Sequence, residues 1–109
     1  MGELALTRVD ARLVHGQVAA RWIKFLSINK IVVVNDLIAQ DAFMLELFKL
    51  ACPPNTTIEC LNTEDAVKSF NKDCFGEGKI FLLFKDIESC KKAFDAGLHF
   101  TDLDLGNAP

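Results

Sequence analysis

Arg8, Asp10, Arg12, His15, Gly16 and Gln17 fall within ten residues of one another near the start of the 109-residue chain. An imidazole nitrogen is a competent nucleophile near neutral pH. Two arginines beside it would neutralise the oxygens of a bound or migrating phosphoryl group, because guanidinium is permanently charged and donates in a planar fork. Asp10 is close enough in sequence to orient either an arginine or the imidazole. Gly16 lets the backbone approach a phosphate with no Cβ in the way, and the free N–H groups of a following helix add anion-binding donors. A plainer reading makes His15 a surface or capping residue and leaves the arginines in surface salt bridges, each contributing at most about 1 kcal/mol. On local chemistry alone, both readings stand. His99 differs: it follows Gly97 with no arginine near it in sequence, and is read as an exposed or packing residue.

The elements that would position this cluster follow from the hydrophobic pattern. Leu4–Asp10 reads as a first strand, followed by a helix from about Gln17 to Leu26 with Val18, Trp22, Phe25 and Leu26 on one stripe. Lys30–Asn35 carries four consecutive β-branched residues, the mark of a strand buried on both faces in a parallel sheet. An unusually apolar helix from about Ile38 to Ala51 stops at Pro53-Pro54. Thr57–Leu61 is a third strand. Asn62 or Thr63 caps a third helix that ends near Asn71, with a loop over Lys72–Gly78. Lys79–Phe84 is a fourth strand. Asp86 caps a fourth helix with Ile87, Cys90 and Phe94 along one face and Gly97 as its stop, and Asp102–Leu105 is a last short strand.

This alternation predicts an α/β fold, an open and mainly parallel sheet with helices on both faces. Ligands in such folds sit beyond the carboxyl ends of the strands. The loop after the first strand, which holds His15, is such a place.

Composition narrows the function classes. Half the residues are hydrophobic and a quarter charged, with a net charge of −3, which argues against a nucleic-acid binder. No apolar run approaches the roughly 20 residues that span a bilayer, and no secretory signal is visible, so the chain reads as cytoplasmic. Cys52, Cys60, Cys74 and Cys90 lack the paired spacing of zinc or redox motifs and read as buried reduced thiols. Nucleotide-binding and nucleophile-elbow motifs are absent from the sequence. Asp36 ends the second strand as a phospho-accepting aspartate would. That chemistry needs an acidic cluster after the first strand, where Asp10 stands alone.

The run Arg8-Val9-Asp10-Ala11-Arg12-Leu13-Val14-His15-Gly16-Gln17-Val18, with Trp22 four residues on, resembles the active-site loop of the IIB subunit of the mannose/fructose/sorbose family of bacterial sugar phosphotransferase systems. Supporting similarity comes from Lys30–Asp36, Pro53-Pro54, Ile80–Phe84 and Leu103–Asn107. The resemblance implies a sugar phosphotransferase component in which His15 accepts a phosphoryl group from a phosphohistidine on a IIA domain. It would then deliver that group to a sugar presented by the membrane subunits IIC and IID. Arg12, then Arg8, with Gly16, would hold the phosphoryl oxygens. Asp10 and Gln17 would order the loop, and no metal or organic cofactor is implied. The chain would work in the cytoplasm, held at the membrane through its partners.

Ala11 stands where many family members carry a second acidic residue, and members continue past the Gly106-Asn107 turn. Residues 1–109 are therefore read as a single IIB-like domain lacking the C-terminal part of the full family domain. A shortened sheet would expose an edge and apolar helix surface, which predicts self-association. Two other functions fit the residues: a non-catalytic IIB-like module that docks on IIA-type partners, and an unrelated α/β anion-binding domain.

Overall fold

Alternation along the two most apolar strands sets up two cores, one on each side of the sheet. The computed structural model describes residues 1–14 and 16–106, with the backbone alone at 16–19. Strands β1 (Glu3–Val9), β2 (Lys30–Val34), β3 (Thr57–Leu61), β4 (Lys79–Phe84) and β5 (Asp104–Leu105) alternate with helices α1 (Gly16–Leu26), α2 (Ala42–Ala51), α3 (Thr63–Asp73) and α4 (Ile87–Asp95). Every strand pair is parallel, and the order across the sheet is β3-β2-β4-β1-β5. The open parallel sheet expected from the sequence is what the chain forms.

Successive side chains of a strand point to opposite faces. Val32 and Val34 of β2, with Ile80, Leu82 and Phe84 of β4, pack under α3 and α4 with Ala66, Cys90 and Ala93. Ile31, Val33, Phe81 and Leu83 point the other way, toward Ile23 of α1 and Phe48 of α2. Burial on both faces explains why β2 and β4 are almost wholly apolar. All four cysteines are free thiols. Burial pushes them up, Cys60 and Cys90 to about 11, so at neutral pH they are protonated and pack as small hydrophobes.

Three helices differ from the sequence expectation in instructive ways. The apolar segment from Ile38 does not form one helix. Asn35 Oδ1 accepts from the N–H groups of Leu37 and Ile38, a 3-10 turn follows over Ile38–Gln40, and extended Asp41 caps α2 by accepting from Met44 N at 3.1 Å. Short polar side chains that bond nearby backbone break a helix there. In α1, Phe25 is 78% exposed while Ile23 is buried. Phe25 lies about 200° round the helix from Ile23, so the inward stripe runs through Trp22, Ile23 and Leu26 instead. In α4 the buried positions are Cys90 and Ala93, whereas Ile87 and Phe94 sit at the margin. Phe94 there packs edge-on against Phe100, and its ring lies 5.0 Å from that of exposed His99.

Caps behave as the residue types require. Asn62 accepts from Asp65 N and Asp86 from Ser89 N, each at 2.7 Å, and Gly97 takes φ +121° just after α4. Helix α3 runs two residues past its expected end and closes on left-handed Cys74. Cys52 is extended ahead of Pro53, as the proline ring demands.

The large apolar residues divide sharply by burial, which gives a direct test. Phe84 is fully buried and Phe43 of α2 is 70% exposed. Phe84→Ala is expected to lower the unfolding free energy by about 3–5 kcal/mol. Phe43→Ala should change it by less than about 0.5 kcal/mol. Urea denaturation of the two variants beside the wild type measures both.

Candidate functional site

Beyond the carboxyl end of β1 the chain turns sharply. Asp10 N donates to Phe84 O at 2.9 Å on one side of β1, and Gly106 N donates to Val9 O at 2.8 Å on the other. The turn closes with Leu13 N donating to Asp10 O at 2.9 Å. Leu13 adopts φ +54° with its side chain buried in the α1/α2 core. A left-handed leucine is disfavoured, and the burial of its side chain together with the Asp10 carbonyl bond holds it there.

The Asp10 carboxylate is 1% exposed. Its Oδ1 accepts from Arg12 N at 3.0 Å and from Arg12 Nε at 3.2 Å, and its Oδ2 accepts from Arg12 Nη2 at 3.3 Å. The Arg12 fork is therefore laid across the carboxylate with both ends engaged. Arg8 approaches the same Oδ2 at 3.5 Å and forms an ion pair and hydrogen bond with Asp104 of β5. The Arg8 Cζ atom also lies 5.9 Å from the centroid of the Trp22 ring, within cation–π range. The two guanidinium groups differ in access: the Arg8 side chain is 12% exposed and that of Arg12 49%.

Of the residues expected to form the site, Arg8, Asp10 and Arg12 are brought into one hydrogen-bonded cluster. Gly16 begins α1, directly after the loop. His15 and the side chain of Gln17 lie outside the described residues. Sequence reasoning missed Asp104 and Gly106 as parts of the cluster. A Cβ on Gly106 would stand 2.5 Å from Arg8 Nη2 and 2.7 Å from Asp10 Oδ2, so any side chain there would push the Arg8–Asp10 pair aside. The only sequence signal for either residue was the short strand and turn at Leu103–Asn107. Their contact with β1 depends on strand order, which local pattern does not encode.

Arg8, Arg12, Asp10 and Asp104 together are formally neutral. Arg12 nevertheless presents half its side-chain surface to solvent, where an anion can meet it. With Nε and Nη2 engaged on Asp10, Arg12 keeps Nη1 as a donor for a further anionic partner. The cluster is chemically suited to gripping tetrahedral anionic oxygens and releasing them again.

Comparison with known proteins decides the family. Residues 4–109 match the family model described as PTS system sorbose subfamily IIB component. The chain belongs to that family. Among IIB relatives, it is 29% identical over 106 residues to the PTS system fructose-specific EIIB component of Bacillus subtilis, covering 97% of this chain and 65% of that protein. It is also 29% identical over 103 residues to the PTS system mannose-specific EIIAB component of Escherichia coli K12, covering 94% of this chain and 32% of the relative. The chain thus spans about one third of the length of the mannose-specific relative and about two thirds of that of the fructose-specific one. Among solved IIB-like structures, manxB from Thermoanaerobacter tengcongensis superposes with a TM-score of 0.90 at 37% identity, over 100% of this chain and 66% of that one. The IIBSor domain of the sorbose permease from Klebsiella pneumoniae gives 0.88 at 26% identity, over 98% of this chain and 66% of the other. No helix among the described residues is long and apolar enough to cross a membrane.

Asp36, set aside above as a phosphate acceptor, has a structural engagement instead. It accepts from Lys92 Nζ at 2.6 Å and from Thr63 N at 2.7 Å, tying the end of β2 to α4 and α3. These bonds, that to Lys92 foremost, hold its carboxyl down at about 2. The tie is therefore complete above the ordinary value of 3.8 and is lost as pH falls through about 2. With the Asp36 and Lys92 side chains 44% and 61% exposed, solvent screens the pair and its share of stability is small. An NMR titration of the Asp36 carboxyl carbon is expected to show a midpoint near 2 that moves part-way toward 3.8 in Lys92→Ala. A wild-type midpoint at 3.8 would contradict the arrangement.

Proposed function

We propose that this chain is a phosphocarrier of sugar uptake, a single IIB-like domain in which His15 takes a phosphoryl group from a phosphohistidine on a IIA domain. The observation that carries the reading is the Asp10 clamp, which presents Arg12 three residues before His15 at the carboxyl end of β1. In the first step an imidazole nitrogen of His15 bonds to phosphorus while the donor N–P bond breaks, its electron pair returning to the donor imidazole. In the second step a sugar hydroxyl oxygen bonds to phosphorus, its proton leaves to solvent, and the His15 N–P bond breaks. Membrane subunits IIC and IID present the sugar in this reading, and the chain works in the cytoplasm against them.

Phosphoryl transfer passes through a loose, charge-spread transition state, so the protein's task is positioning and neutralisation. Arg12 holds the phosphoryl oxygens. Arg8 adds a second positive charge from behind Asp10, and the backbone N–H groups at the start of α1, from Gly16 on, add donors. Asp10 and Gln17 order the loop. A phosphohistidine is already an energy-rich carrier, so the two steps call on no metal or organic cofactor.

The test is transfer of labelled phosphate from phosphoenolpyruvate through the general phosphotransferase proteins and a IIA domain. Acid-labile label is expected on the wild type and none on His15→Ala, with circular dichroism confirming that both are folded. Arg12→Gln should slow labelling by roughly a hundredfold, the usual cost of losing one transition-state donor. A folded wild type that takes no label would contradict the carrier reading and leave a module that only docks on IIA-type partners.

A further inference from the structure

We propose that Asp104, on the strand beside the loop, is a positioning residue for this transfer: by holding Arg8 it keeps Arg8 from displacing Arg12 on the Asp10 carboxylate. The inference rests on the phosphocarrier reading for its kinetic consequence, and on the described geometry alone for its structural one.

Arg8 and Asp104 are register partners on neighbouring parallel strands, so their side chains stand beside each other. The Arg8 guanidinium is nearly enclosed and must find acceptors. It has two carboxylates in reach: Asp104, which it contacts closely, and Asp10, which it meets only at 3.5 Å. Arg12 meets Asp10 at 3.2 and 3.3 Å through its side chain. The division is uneven, and Asp104 is what makes it so. With that carboxylate neutralised, Arg8 has Asp10 as its remaining anionic partner within this cluster and competes with Arg12 for the same two oxygens. Arg12 then loses its seat, and the loop that carries His15 loses the group that orders its first residues.

Gly106 bounds the same device from the other side. Its Cα packs so closely on the Arg8–Asp10 contact that a methyl group would collide with both partners. Strand β5 is only two residues long, and one of the two supplies the carboxylate. A purely structural ion pair with one member 40% exposed predicts a different result on substitution: little change in stability and none in chemistry.

The experiment compares Asp104→Asn, Asp104→Glu and Gly106→Ala with the wild type, using Asp102→Asn as a control on the same exposed segment. Two readouts are taken: the rate of phosphoryl transfer from a phosphorylated IIA domain, resolved into kcat and KM, and solvent exchange of the Arg12 Nε–H by NMR without phosphate. Asp104→Asn is expected to lose roughly tenfold or more in kcat, with KM and Tm little changed, and to exchange the Arg12 Nε–H faster. Asp104→Glu should restore most of the rate, Gly106→Ala should lower kcat and quicken exchange as Asp104→Asn does while also lowering Tm, and Asp102→Asn should match the wild type. An Asp104→Asn chain with wild-type kcat and an unaltered Arg12 Nε–H would overturn the proposal. If the wild type itself takes no phosphate, the carrier reading fails. The exchange measurement then still decides the coupling, supporting it if exchange quickens and overturning it if not.

Discussion

A carboxylate with 1% of its surface exposed, set between two guanidinium groups, is the arrangement on which the rest of the loop depends. An ionised carboxylate leaves water only when charge partners and hydrogen bonds replace its hydration. Asp10 has both arginines and the backbone N–H of Arg12. Losing the Asp10 charge would take an anionic partner from both guanidinium groups at once, including that of Arg8, whose side chain is 12% exposed. The requirement to satisfy Asp10 therefore fixes where Arg12 points. The turn itself is closed by Leu13 N on the Asp10 backbone carbonyl, with the left-handed leucine held by its buried side chain.

The surrounding fold is what makes that carboxylate buried. Strand β1 lies between β4 and β5, so Asp10, one residue past its end, is flanked on both sides by the ends of neighbouring strands. The apolar strands beneath provide a floor that does not yield, since protein interiors are close-packed. A near-neutral group of two arginines and two aspartates on such a floor is compatible with the proposed carrier role, in which what is bound must be released.

Much of this was legible in the sequence, for reasons that differ by element. The β-branched run at Ile31–Val34 and the apolar run at Ile80–Phe84 announced strands buried on both faces, and the limits of β3 and β4 match the expectation. Asn62, Asp86, Pro53 and Gly97 marked helix ends because each acts through its own backbone neighbourhood. Phe25 was placed on the wrong side of α1 because hydrophobicity does not distinguish a core residue from an exposed one. The break before α2 was missed because Asn35 and Asp41 act through specific side-chain bonds that a smooth apolar pattern conceals. Arg8, Asp10 and Arg12 were legible as a charged cluster within five residues. Asp104 was not, because it meets Arg8 across 96 residues of chain and only through the order of strands.

The account stands or falls on the Asp10 carboxylate, and Asp10→Asn tests it with the least change of shape. The measurement is rapid-quench phosphoryl transfer from a phosphorylated IIA domain, with thermal unfolding of the same samples. The account predicts that losing the charge slows transfer sharply and lowers Tm together, because both arginines lose the anchor they share. A stably folded Asp10→Asn chain that takes phosphate at the wild-type rate would contradict it.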